Sequence, residues 1–159
     1  MKNQKGFTLP ELIITMGILS ILFGFVAVNL IHLQRRSSLT TTVDTLVSDL
    51  YSQQNKAMVG DTQGSGTISD YGVYFESNRY VLFRGSSYDP SDITNFPVNL
   101  DPSLTFTNIT FPSSSIVFSR GGGDVSGWTS VSDSVVLDDT TNTDQKTIET
   151  NVYGTITVQ

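Results

Sequence analysis

The chain has 159 residues, with 9 Lys and Arg against 15 Asp and Glu, one His and no Cys, a size that suits one modest domain. Without cysteine it holds no disulfide framework, thiolate nucleophile or Cys-ligated metal centre, and a single His leaves little for a His-based one. A formal net charge of −6 repels polyanions, so an electrostatic grip on nucleic acid needs a local basic patch, and the sequence shows none.

The charge is unevenly placed. Residues 1–6 hold Lys2 and Lys5 and no acid, whereas from residue 37 onward 5 basic residues face 14 acidic ones, a net of −9. Between them, residues 12–31 are twenty consecutive uncharged residues, which as a helix would cover about 30 Å, the thickness of bilayer hydrocarbon. A buried core helix would carry a polar stripe, but only Thr15, Ser20 and Asn29 interrupt this surface, so the segment predicts a membrane span. Lys2 and Lys5 ahead of it place the N-terminus in the cytoplasm and the acidic head outside, although Arg35 and Arg36 argue the other way. A secretory signal peptide would put its small-residue cleavage site on the far side of a shorter apolar core. Here the apolar run continues past Gly24 and Ala27, and the clearest punctuation, Lys5-Gly6-Phe7, lies on the near side.

Glu11 stands at the edge of the span, where a carboxylate is costly unless something neutralises it. Thr8 as N-cap with Glu11 three residues on also reads as a capping box, and the two roles are compatible. Pro10 fits a first helical turn, where its missing N–H has no helical partner. Gly17 and Gly24 share a face and would allow close helix packing, but glycine is also common in membrane helices.

Beyond the span, Leu39, Val43, Leu46, Leu50 and Ala57 recur at helical steps, with Asp44, Asp49 and Gln53 between them. The simplest account is one helix over 9–58 whose second half lays this stripe on a sheet; a coiled-coil partner would need a longer run and complementary charges. Residues 61–70, dense in Gly, Ser, Thr and Asp, predict a loop. Residues 71–76 and 79–84 flank Ser77-Asn78 as a β-hairpin, and further strands are expected at 104–111, 115–120, 134–137, 146–151 and 155–159. A helix first and strands afterwards make an α+β chain, a long N-terminal helix packed on an antiparallel sheet or β-sandwich head.

The run Lys5-Gly6-Phe7-Thr8-Leu9-Pro10-Glu11-Leu12, followed at once by the apolar helix, resembles the cleavage and methylation signature of type IV prepilins and pseudopilins. The resemblance implies that a prepilin peptidase cuts between Gly6 and Phe7, that the new amine of Phe7 is N-methylated, and that Glu11 meets the first residue of a neighbouring subunit to set axial register. Proline at position 10 departs from the aliphatic residue commonest there. It also implies an organisation of 1–6 as leader, 7–33 as transmembrane and assembly helix, 34–59 as the amphipathic half of the helix and 60–159 as the β-rich head. The hairpin, the segment Ile116-Val117-Phe118-Ser119-Arg120-Gly121 and the closing Gly154-Thr155-Ile156-Thr157-Val158 resemble the GspH/FimT-type minor pseudopilins more loosely.

Little in the chain points to catalysis. His32 lies at the edge of the apolar span, so a Ser/His/Asp triad would need the head to fold back onto the membrane, and the paired acids are explained by chance proximity in so acidic a head. Asp138, Asp139, Asn142 and Asp144 offer hard oxygen ligands for Ca²⁺ but lack the ordered spacing and glycine of an EF-hand, so they are weak candidates and a solvated hairpin loop is the simpler account. Arg120-Gly121-Gly122-Gly123-Asp124 has no helix start or Lys-Ser/Thr behind it and reads as a turn between strands. Trp128 suits core packing or an exposed adhesive patch. Some FimT-like proteins bind DNA through basic residues near the C-terminus; residues 153–159 hold none, so that property is not carried over.

The sequence therefore predicts a structural subunit without cofactor, a single-pass inner-membrane protein that later joins a pilus or pseudopilus. Its expected partners are other pilin or pseudopilin subunits, the prepilin peptidase and the inner-membrane assembly platform. The alternative is a membrane-tethered binding module, an adhesin or DNA-uptake receptor; a signal-anchored hydrolase lacks the residues it would need.

Overall fold

The computed structural model describes residues 8–129, 133–141 and 143–159, and for residues 26–37 the backbone alone. The chain is α+β: among the described residues, helix α1, Leu9–Val59, is followed by eight strands. Two compact units divide it, residues 1–38 and residues 39–159.

In the first unit the helix begins as its sequence dictates. The carbonyl of Thr8 accepts the first helical bond from the amide of Leu12 at 3.1 Å, so Thr8 is the N-cap, Pro10 falls in the first turn and Glu11 occupies the third helical position. Every large apolar side chain described from Leu9 to Phe25 is exposed. The two hydroxyls among them turn back on the helix: Thr15 Oγ1 donates to the Leu12 carbonyl at 3.0 Å and Ser20 Oγ to that of Met16 at 2.8 Å. Their polar groups are thereby satisfied inside the helix rather than by its surroundings.

The second unit holds the rest of α1 and two four-stranded antiparallel sheets. Strands β1, Tyr71–Glu76, and β2, Arg79–Arg84, form the expected hairpin. Its closing pair is clamped by a bidentate ion pair from Arg79 to Glu76, at 2.8 and 2.9 Å. Together with β3, Phe96–Asn99, and β5, Ser115–Phe118, they make the sheet β3-β2-β1-β5. The other sheet runs β4-β6-β7-β8, from β4, Leu104–Thr107, β6, Ser134–Asp139, β7, Gln145–Thr150, and β8, Ile156–Val158.

The core lies where the apolar stripe of the helix meets both sheets. Leu39, Val43, Leu46, Leu50 and Ala57 are buried with Tyr71, Val73, Phe75 and Tyr80 of the first sheet and Leu104, Phe106, Val135, Leu137 and Ile148 of the second. Phe75 joins the sheets, its ring edge-on to Phe106 at 5.3 Å and stacked on Phe111 at 5.6 Å. Gln53, the polar member of the stripe, is buried and donates to the carbonyl of Gly72 at 3.0 Å. Gly60, at φ +67°, ends the helix in a Schellman motif, its amide bonded to Ala57 and that of Asp61 to Lys56.

Several strand expectations need correction; the strand expected over 115–120, for one, ends at Phe118. Strand β3 was not among the expected strands; the sheet accepts its Pro97 at the edge, where a missing donor is tolerated. The strand expected over 104–111 stops at Thr107, since Asn108 takes a left-handed conformation at φ +46°. Strand β6 continues to Asp139 rather than ending at Leu137.

Candidate functional site

The segment singled out by the sequence starts in residues that lie outside the described ones: Gly6 and Phe7, the expected cleavage and methylation positions, are among them. From Thr8 onward the geometry is defined. Glu11 Oε2 lies 3.5 Å from both the amide and the hydroxyl of Thr8, the reach of a capping box but at a length that makes each bond weak. Those are its hydrogen-bond partners among the described residues, so a carboxylate beside an apolar helix is only loosely satisfied there. The apolar side chains beyond it are exposed as well: Leu12, Ile13, Ile14, Met16, Ile18, Leu19, Ile21 and Leu22 are all about half exposed or more. A surface of this kind must be covered by lipid or by other protein.

Residues 1–27 match the family model described as the prokaryotic N-terminal methylation motif. The match supports a type IV pilin-like protein. It indicates a precursor of the pilin and pseudopilin kind that is processed by a peptidase. No curated protein and no solved structure matches the chain. Among the described residues no helix is long and apolar enough to cross a membrane; the expected span continues through side chains 26–31, which lie outside them, as do those of His32, Arg35 and Arg36.

In the head, the acidic candidates do not converge. Asp138 and Asp139 are successive residues of β6 and so face opposite sides of the sheet. Asp138 Oδ2 accepts from Thr107 Oγ1 at 2.7 Å, while Asp139 is buried and its Oδ1 accepts from the amide of Thr141 at 2.8 Å. The Asp144 carbonyl closes the turn on the Asp139 amide at 2.8 Å, and Asn142 lies outside the described residues. Among the described residues no three acidic or His side chains gather as metal ligands.

The Arg120–Asp124 stretch is a turn tied down by backbone bonds: the amide of Gly121 reaches the Ala57 carbonyl at 2.9 Å and that of Gly123 the Ser119 carbonyl at 2.8 Å. Trp128 is half-buried against the core and donates Nε1–H to the Thr150 carbonyl at 3.1 Å. Tyr80, fully buried, donates to Asp49 Oδ2 at 2.6 Å, and burial first, then this carboxylate, push its pKa far up. Burial, then the charge of Asp61, likewise raises that of Tyr71.

A groove on the outer face of the first sheet was not anticipated. It has a volume of about 450 Å³ and is lined by Tyr74, Tyr88 and five serines from separate segments. Alternation along β1 would have turned Tyr74 outward, but nothing local in the sequence brings Ser86, Ser113 and Ser126 beside it.

Proposed function

We propose that the chain is a minor pseudopilin or pilin-like subunit of a type IV pilus or type II secretion pseudopilus, closest in kind to the GspH/FimT type. In this reading residues 1–6 are a leader removed after Gly6, Phe7 becomes the N-methylated first residue, residues 7–33 anchor the precursor in the inner membrane with the head outside, residues 34–59 join the head, and residues 60–159 form it. The observation that carries the proposal is the methylation motif lying directly against a helix whose described apolar side chains, Leu9 to Phe25, are exposed. Such a helix is at home in lipid and equally among copies of itself, because lipid tails and packed apolar side chains are similar surroundings.

Assembly then exchanges one apolar environment for another, and a charge pair supplies the register that apolar packing alone does not fix. Glu11 is proposed for that role: the carboxylate is loosely held by Thr8 and has the most to gain from the methylated amine of a neighbouring subunit in a water-poor filament core. The subtype rests on the hairpin β1–β2 and the terminal strand β8 following the helix. Mass spectrometry of mature native protein tests the proposal directly. A first residue of methylated Phe7 is expected; recovery of Met1, or of a new start beyond Ala27, would overturn it.

A further inference from the structure

We infer that the groove on the outer face of the sheet β3-β2-β1-β5 is a binding site for a neutral saccharide.

The groove has a rigid floor. Outward-facing Val81, Phe83 and Val117 are buried although they lie on the side of the sheet away from the main core. What covers them is the segment following β2, which folds back so that Tyr88 stacks on Tyr74, centroids 4.1 Å apart and planes 11° from parallel, with Phe83 edge-on to Tyr88 at 5.7 Å. That segment is itself stitched in place. Asp89 Oδ1 accepts from the amide and hydroxyl of Ser91, Asp92 Oδ1 from those of Thr94, and Asn95 Nδ2 donates to the Asp89 carbonyl at 2.7 Å. A stacked pair leaves each ring one face that the other does not cover, and a rigid aromatic face loses little entropy on receiving a ligand.

The walls are hydroxyls. Ser86, Ser87, Ser113, Ser115 and Ser126 line the groove. Ser115 Oγ reaches the Pro112 carbonyl at 3.3 Å, and among the described residues the other four hydroxyls have no hydrogen-bond partner. Each is both donor and acceptor, as a sugar hydroxyl is. The wall at Ser113 is held in an unusual conformation: Ser113 and Ser114 are consecutive non-glycine residues with φ of +53°. Buried Phe111 before them and β5 after them fix this strained turn, and strain of this kind gathers where a ligand is clamped.

Charge decides the ligand class. The lining contains no Lys, Arg, Asp or Glu, and residues 37–159 carry a net charge of −9. A phosphate or carboxylate would find no cation in the lining, since Arg79 near Tyr88 is already held by Glu76, and would be repelled at a distance. A volume of about 450 Å³ falls within the range of small-ligand sites. An aromatic platform, unpaired hydroxyls and neutrality together fit a ring with hydroxyl groups on its edges and C–H bonds on its face.

The test uses the full chain in lauryldimethylamine oxide micelles, a detergent without a sugar headgroup, titrated by saturation-transfer NMR with diacetylchitobiose, cellobiose and lactose, and with digalacturonic acid as the charged comparator. At least one neutral disaccharide is expected to bind with a Kd of about 1 mM, weakened about tenfold or more by Tyr74→Ala and retained in Tyr74→Phe. Ser126→Tyr, at an exposed rim position, should block binding without touching the core and decides the matter if Tyr74→Ala unfolds. Absence of binding by all the neutral disaccharides up to about 20 mM would overturn the inference. So would equal binding of digalacturonic acid, or undiminished binding in Ser126→Tyr.

Discussion

Leu50→Ala measures how firmly the second half of α1 belongs to the head. Leu50 is completely buried among the helix stripe and both sheets. The substitution removes three carbons, worth about 2.4 kcal/mol in lost transfer energy at about 0.8 kcal/mol each. A cavity walled by a helix and two hydrogen-bonded sheets collapses little, so its residual volume raises the total to about 3–4 kcal/mol. Urea unfolding of the full chain in micelles can be followed through Trp128, the single tryptophan, which packs against the same core. With a slope of about 1.5–2 kcal/mol per molar urea, the midpoint should fall by about 2 M at unchanged slope. Leu19→Ala is the control: Leu19 is 52% exposed within the chain, and its loss should move the unfolding of the head by less than about 0.5 kcal/mol. A midpoint shift under about 0.5 M for Leu50→Ala, or an equal shift for Leu19→Ala, would refute the assignment of the stripe as the core of the head.

The remaining predictions concern other contacts. Gly72→Ala should destabilise the head by about 2–3 kcal/mol in the same assay, because a Cβ there would lie 2.5 Å from both the Ile116 carbonyl oxygen and Phe83 Cζ, and the Phe83 ring is buried and cannot retreat. Tyr80 has a pKa raised above its unfolded value of about 10, so its contribution is complete below about pH 10 and declines as pH rises beyond it. Tyr80→Phe should cost about 1.5–3 kcal/mol near neutrality, since it deprives Asp49 of a hydrogen bond, and should flatten that alkaline decline when unfolding is measured across pH. Glu11→Ala should still be cut and methylated in cells but be missing from sheared filaments; normal co-assembly by immunoblot would count against its register role.

What the sequence disclosed follows from periodicity. The spacing of Leu39, Val43, Leu46 and Leu50 named the buried face of the helix, and residues 71–76 and 79–84 on either side of Ser77-Asn78 gave the hairpin. Local signals misled where tertiary context prevailed. The strand over 96–99 carries a proline that only a sheet edge admits, and the apolar character of residues 104–111 hid a left-handed break at Asn108. The methylation motif was legible because its parts are contiguous. The groove was not, because its serines come from residues 86–87, 113–115 and 126, and only folding makes them neighbours.

Pro97 has one more effect, on how heads behave in a crowd. Strand β3 is an outermost strand of its sheet, and an outermost strand invites a stranger's backbone to extend the ladder. Proline has no amide hydrogen to offer a newcomer at the middle of that short border, so lateral zippering is interrupted there. In the assembly proposed above, a molecule held shoulder to shoulder with its own kind is thus spared one route to tangling.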